Sequence, residues 1–288
     1  MISYIGGKAR IGKWIAPLIP KNIETYVECF GGMFWVFFNM DIEKYPNLKT
    51  VVYNDFNKLN ANLFRCSKQY DRLLRELKEY PRQEYHNPIT PPFYADLFNL
   101  CQKEVFDPTL VIPDEADFEI AAKYLYVLTQ VFSGSKPETS KYTDYKGKYR
   151  CKIDIFEDKL RHSKYREHLD KITFIESQDF QPIIYKYDSP STYFYLDPPY
   201  WKTENYYSSH DFDSEDHHRL SSTLKTIKGK FGLSYYEFPQ LHKWYPQTPP
   251  NRYPEIQYKW ESKGFAKAAA AKEGVKQNIG TELLIMNY

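Results

Sequence analysis

An α/β fold of the doubly wound type is predicted by three features of this sequence. Short runs rich in β-branched and aromatic residues recur between segments of helical periodicity. Glu24 to Phe30 reads as a strand running into Gly31-Gly32, and Val51 to Asp55 as a second strand ending in an acid. Thr192 to Leu196 reads as a buried strand stopped by Asp197-Pro198-Pro199-Tyr200. Strand, glycine turn and helix together form the layout that brings backbone amides and a helix N-terminus against a ligand in doubly wound folds.

Composition narrows the class of protein. The chain of 288 residues can bury a substantial core as one large domain or two. Its formal charge of +2 is nearly neutral, so nucleic-acid binding would have to come from local basic patches. Cys29, Cys66, Cys101 and Cys151 are widely spaced, without a C-x-x-C pair or matching histidines, which predicts reduced thiols in a cytoplasmic protein and no structural zinc. No segment reaches transmembrane length, so no membrane partner is expected.

Taken in order, the chain opens with Ser3 to Ile15, in which Gly7 to Lys13 fits G-x-x-x-x-G-K. Trp14 stands where a phosphate-binding loop needs Ser or Thr, so the expected structure is a glycine turn opening a helix with Ile11, Trp14, Ile15 and Leu18 on one face. After Gly31-Gly32, Met33 to Met40 reads as an apolar helix. Asp55 lies 24 residues beyond Gly31, where a carboxylate can accept both hydroxyls of a ribose or cap a helix starting near Phe56.

From Leu59 to about Val131 the pattern is helical, broken into pieces by Pro88, Pro91, Pro92, Pro108 and Pro113. Ser133 to Lys152 then carries six bases against two acids, interleaved with Tyr142, Tyr145 and Tyr149. Such a stretch suits phosphate neutralisation and base stacking, or simply a solvated hairpin or loop. A charged helix near Asp158 to Asp170 precedes a strand at Ile172 to Glu176.

Asp211, Asp213, Glu215, Asp216, His217 and His218 invite a metal reading, but acids ahead of Leu220, Leu224 and Ile227 fit a capped helix start better, so no metal is expected. Phe231 to Tyr236 is a further strand. Arg252 to Trp260 and Thr281 to Tyr288 read as a closing antiparallel pair, joined by a mobile Lys- and Ala-rich connection.

The chemistry concentrates at Asp197. Two prolines remove amide donors and fix φ, leaving a carboxylate and free carbonyls at the end of a strand. These can hold an exocyclic amine by its hydrogens while Tyr200 stacks on the ring that bears it, although a strand-ending turn with a capping Asp is the plainer alternative.

In this order, Tyr-Ile-Gly-Gly-Lys, Tyr-Val-Glu-Cys-Phe-Gly-Gly, Tyr-Asn-Asp, Asp179-Phe180, Asp-Pro-Pro-Tyr and the terminal Glu-Leu-Leu-Ile-Met-Asn-Tyr resemble the Dam-like adenine-specific DNA methyltransferases, phage members included. The resemblance implies a seven-stranded, mostly parallel, Rossmann-like sheet carrying S-adenosyl-L-methionine at its strand ends. It implies a catalytic domain of residues 1–65 and 172–288, with 66–171 as a mainly helical target-recognition domain inserted between.

Carried over by position, Tyr4 and Lys8 would contact the cofactor, and Phe30, Gly31 and Gly32 would line its pocket. Asp55 would hold its ribose, and Asp179 with Phe180 its adenine. Asp197, also counted beside the cofactor, and the Pro198 carbonyl would bind the target amine, with Pro199 stiffening the turn and Tyr200 stacking on the flipped adenine. Lys136, Lys141, Lys146, Lys148 and Arg150 are the expected contacts to double-stranded DNA. The reading requires no protein partner and leaves room for a homodimer on DNA.

Two departures stand out. Met33, Phe34 and Trp35 replace the usual small residues and would crowd the cofactor, and Cys29 replaces the usual Pro. The basic stretch also lacks the pattern of GATC-specific relatives, so no target site is assigned. A DNA-binding protein of the same fold with lost catalysis is the alternative. A P-loop ATPase would need Ser or Thr at Trp14, and a protein- or RNA-directed methyltransferase would more often carry Asn at position 197.

Overall fold

A computed structural model describes residues 8–132, 135–202, 212–247, 258–266 and 279–288. Seven strands form one sheet: β1 (Thr25–Glu28), β2 (Thr50–Asn54), β3 (Phe174–Glu176), β4 (Thr192–Leu196), β5 (Lys230–Tyr235), β6 (Lys259–Ala266) and β7 (Ile279–Met286). Their spatial order is β3-β2-β1-β4-β5-β7-β6; β1 to β5 run parallel, and β7 is antiparallel to both neighbours.

The helices are α1 (Gly12–Ile15), α2 (Lys58–Lys68), α3 (Tyr70–Glu76), α4 (Phe93–Val105), α5 (Phe118–Gln130), α6 (Lys152–Arg161), α7 (Ser163–Lys171), α8 (Phe180–Tyr187), α9 (Ser214–Leu224) and α10 (Leu241–Trp244). Both faces of the sheet are covered, which is why its central strands read as continuous apolar runs. The period of two sorts their side chains between two cores. Tyr26, Val51, Tyr53, Tyr193 and Tyr195 face a core that also holds Phe98, Leu125 and Phe156 of α4, α5 and α6. Val27, Val52, Phe194 and Leu196 face the other, with Ile183, Leu220 and Leu241 of α8, α9 and α10.

Several expectations shift. Met33–Met40 is not an α-helix; it contains only a 3-10 turn at Phe37–Asn39. Gly32 (φ 47°) and Phe34 (φ 56°) adopt left-handed backbone, which breaks a helix at its start. Phe34 tolerates this because its ring is buried edge-on to Tyr53 at 5.1 Å and tilted against Phe37 at 4.7 Å. Met33 and Phe34 are buried in the core, and Trp35 is half-buried against it.

The first helix is one turn long and continues as a 3-10 turn at Ala16–Leu18. The charged helix near Asp158 to Asp170 is two helices, because His162 is extended (ψ 128°) between them. In the closing pair, β6 continues to Ala266 and β7 begins at Ile279. Trp260 holds that register, lying opposite Ile285 and donating Nε1–H to the Tyr245 carbonyl at 3.1 Å. The connection between β6 and β7, residues 267–278, and the expected strand start at 252–257 lie outside the described residues.

Candidate active site

Register brings the candidate residues to one edge. Val27 lies beside Val52 and Phe194, so the ends of β1, β2 and β4 come level, and β1 and β4 flank the point where strand order reverses. Ligands in open parallel sheets bind there. Gly31 donates its N–H to the Asn54 carbonyl at 2.7 Å, and a Cβ on it would meet the Tyr53 ring at 2.5 Å, so only glycine fits this close approach.

Asn54 is the hub of this edge and was not singled out from sequence. Its amide donates to the Cys29 carbonyl at 2.8 Å and the Gln178 carbonyl at 3.0 Å, while its oxygen accepts from Gln178 N–H at 3.0 Å. These bonds fix the loop that carries Asp179.

Asp55 accepts from Gly32 N–H at 2.7 Å, Asn57 N–H at 2.8 Å and the Asn60 amide at 3.3 Å. It does not cap the following helix; Asn57 does, accepting from Leu59 N–H at 3.0 Å. Burial pushes the Asp55 carboxyl up to about 6, against the lowering effect of those three donors.

Asp179 caps α8 through Gln181 N–H at 2.9 Å and is gripped by both Nη atoms of Arg219 at 2.6 and 2.7 Å. The Arg219 guanidinium also lies 4.2 Å from the Phe180 ring centroid, and Phe180 packs 5.5 Å from Phe30. Nothing in the sequence pattern had marked Arg219. The acid-rich cluster before Leu220 is a helix start, as expected: Asp213 and Asp216 make a capping box, Asp216 pairs with Arg219, and His217 is buried against the Tyr235 hydroxyl at 2.6 Å.

Asp197 sits at the end of β4 in a network of charges. Lys8 Nζ lies 2.9 Å from Asp197 Oδ1 and 3.2 Å from Glu282 Oε1, and donates to the Tyr200 hydroxyl at 2.6 Å. The Tyr200 hydroxyl donates in turn to Glu282. Burial and the Glu282 charge raise the Asp197 carboxyl to about 6 despite the lowering pull of Lys8. Glu282 escaped the sequence reading as a site residue, although it heads the terminal Glu-Leu-Leu-Ile-Met-Asn-Tyr motif, directly before the apolar run Leu283-Leu284-Ile285-Met286. Glu28, at the end of β1, accepts from the Tyr26 hydroxyl at 2.6 Å and Phe37 N–H at 2.9 Å, and burial raises it to about 8.

Lys8, Phe30, Gly31, Gly32, Asp55, Asp179, Phe180, Asp197, Pro198, Pro199 and Tyr200 therefore belong to one edge or to the loops that leave it, whereas Tyr4 lies outside the described residues. The five basic candidates sit on a separate segment without helix or strand. Lys141, Lys146, Lys148 and Arg150 are exposed, and Lys136 is half-buried. Arg150 pairs with Asp158 at 2.6 Å. Lys152 turns inward, donating to the Val131 carbonyl at 2.9 Å, and Tyr149 is 67% exposed.

The donor set fits S-adenosyl-L-methionine. Its ribose hydroxyls, amino group and adenine amine are hydrogen donors, and the edge offers the carboxylates of Asp55, Asp179 and Asp197; the Lys8 ammonium suits a carboxylate, and the Phe30–Phe180 pair supplies an aromatic wall. Strand order, reversed seventh strand and this edge are those of a Rossmann-like methyltransferase. The chain belongs to the D12 class N6 adenine-specific DNA methyltransferase family, whose pattern it matches over residues 4–261.

It is similar to the type II methyltransferase M.CviBI of Paramecium bursaria Chlorella virus NC1A, at 23% identity over 80% of each chain. It is also similar to the modification methylase StsI of Streptococcus sanguinis, at 39% identity over 64 residues, 22% of this chain and only 9% of that protein. No helix among the described residues is long and apolar enough to cross a membrane.

Proposed function

We propose that this protein transfers a methyl group from S-adenosyl-L-methionine to the exocyclic N6 amine of an adenine flipped out of duplex DNA. The observation that carries the reading is the placement of Asp197, with its rigid Pro198-Pro199 turn, beside the Lys8 ammonium and the Tyr200 ring at the reversal point of the sheet. The bound cofactor supplies an electrophilic methyl on a sulfonium.

Everything else falls to the chain. Asp197 and the Pro198 carbonyl accept the two amine hydrogens, turning the nitrogen lone pair toward the methyl group. Tyr200 covers the face of the flipped base, offsetting part of the few kcal/mol lost on unstacking. Asp55 holds the ribose hydroxyls, Asp179 and Phe180 the cofactor's adenine, and Lys8 its carboxylate end. After transfer the alkylated nitrogen carries a positive charge, which the Asp197 carboxylate stabilises until a proton leaves to solvent.

Residues 66–171 serve as the target-recognition part, with Lys136, Lys141, Lys146, Lys148 and Arg150 on phosphates. The exposed Tyr149 and Phe132 beside that loop support this assignment. The test is to incubate the protein with duplex DNA and S-adenosylmethionine, digest the DNA to nucleosides and identify the product by mass spectrometry. N6-methyladenine is expected; methylcytosine or no methylated base would refute the reading.

A further inference from the structure

We propose that Glu282 is a positioning residue for amine methylation, holding the Tyr200 hydroxyl and the Lys8 ammonium so that ring and charge are both presented at Asp197. This rests on the function proposed above. Glu282 comes from β7, far along the chain from the other members, and is only 1% exposed. Its flanking residues Leu283, Leu284 and Ile285 are buried in the two cores. A carboxylate in such a strand costs stability unless paired, and a Leu or Met there would be the simpler core residue. The pairing is specific: Lys8 at 3.2 Å and the Tyr200 hydroxyl.

Two consequences follow for the reacting edge. The hydroxyl held between Lys8 and Glu282 fixes where the Tyr200 ring swings about Cα–Cβ, and the contacts with Tyr235 at 5.8 Å and, edge-on, with Tyr236 at 4.3 Å limit its plane, so the stacking surface is in place before a base arrives. Lys8 is shared between two carboxylates, so it does not fully neutralise Asp197, which keeps its strength as an acceptor of amine hydrogens. The charged and titratable groups facing Glu282 and Asp197 are Lys8, Tyr195, Tyr200 and Tyr236, with Glu28 of β1 acting on Asp197 and Lys263 as the exposed register partner of Glu282 on β6.

The experiment compares full-length wild type, Glu282→Gln and Tyr200→Phe by single-turnover methylation across pH 5 to 9, together with cofactor and DNA affinities and thermal midpoints. Glu282→Gln should lower the plateau rate by at least about tenfold with both affinities within about twofold of wild type. Because Glu282 raises the Asp197 carboxyl, the acid limb of the rate profile should also move to lower pH. A merely structural role would lower the thermal midpoint without moving that limb. Tyr200→Phe keeps the ring but removes the hydroxyl, and should likewise lower the rate by about tenfold without weakening DNA binding; it decides the question should Glu282→Gln not fold.

In the cofactor-free protein, the stability costs of the two substitutions should be non-additive, because both remove one contact. A wild-type rate and unmoved acid limb in Glu282→Gln, a wild-type rate in Tyr200→Phe, or additive stability costs would each overturn the positioning role. Wild-type protein that never methylates adenine would instead overturn the proposed function, leaving the stability coupling as the direct test of the contact.

Discussion

Lys8 and Asp197 meet at 2.9 Å, joining the start of the chain to the end of β4. The pair ties the first turn to the sheet edge and sets the charge state of the carboxylate on which the proposed chemistry depends.

Lys8→Met should therefore move the pH dependence in a definite direction. Lys8 lowers the Asp197 carboxyl, so its removal leaves burial and Glu282 to raise it further. Asp197 is the acceptor only when ionised; the acid limb, expected near pH 6 in wild type, should shift to higher pH, and activity near neutrality should fall and recover partly on raising the pH. Rate–pH profiles of the two proteins check this; superimposable profiles would count against it.

Asp55→Ala should abolish measurable cofactor binding by calorimetry, because the ribose loses charge-assisted hydrogen bonds of about 1.5–3 kcal/mol each. The same change strips Gly32 N–H and Asn57 N–H of their acceptor, so stability should fall by about 1–3 kcal/mol as well. Lower stability with unchanged cofactor affinity would confine Asp55 to holding the glycine loop.

Glu28 predicts a pH dependence of stability. Its carboxyl is raised from 4.5 to about 8, so the folded state binds the extra proton. That stabilisation is full below the unfolded value and is lost as pH rises toward about 8, at up to about 1.4 kcal/mol per pH unit. Glu28→Gln keeps an oxygen acceptor for Tyr26 and Phe37 and should flatten this slope in denaturant titrations between pH 5 and 8. An unchanged slope would mean that Glu28 is not the group responsible.

The basic loop should behave as a phosphate contact. Replacing Lys141, Lys146 or Lys148 by Ala should weaken DNA binding similarly on all sequences and reduce the salt slope by about one unit each. Arg150, already paired with Asp158, must exchange that partner for DNA, and as the sole arginine among the five it is the best candidate for relaxed specificity at one base pair. If every substitution leaves affinity, salt dependence and preference unchanged, the recognition surface lies elsewhere.

Legibility in the sequence followed burial. The parallel strands could be read because both faces are covered, so Val51 to Tyr53 and Tyr193 to Leu196 are apolar without interruption. The Asp-Pro-Pro-Tyr turn could be read because two prolines leave few backbone choices. Met33 to Met40 was misread because an apolar run has no helical signature once Gly32 and Phe34 take positive φ; its residues are core filling. Glu282, Arg219 and Asn54 could not be placed from local pattern. Their partners Lys8, Asp179 and Gln178 lie far away in the chain, and only the sheet order brings them together.

The most direct measurement is the single-turnover rate of Asp197→Ala against wild type on one duplex, with cofactor and DNA saturating. Loss of the amine acceptor should lower the rate by roughly 10- to 100-fold or more even with both ligands saturating, since the carboxylate acts on the reacting nitrogen. A rate within about threefold of wild type, with adenine still the methylated base, would contradict the role assigned to Asp197.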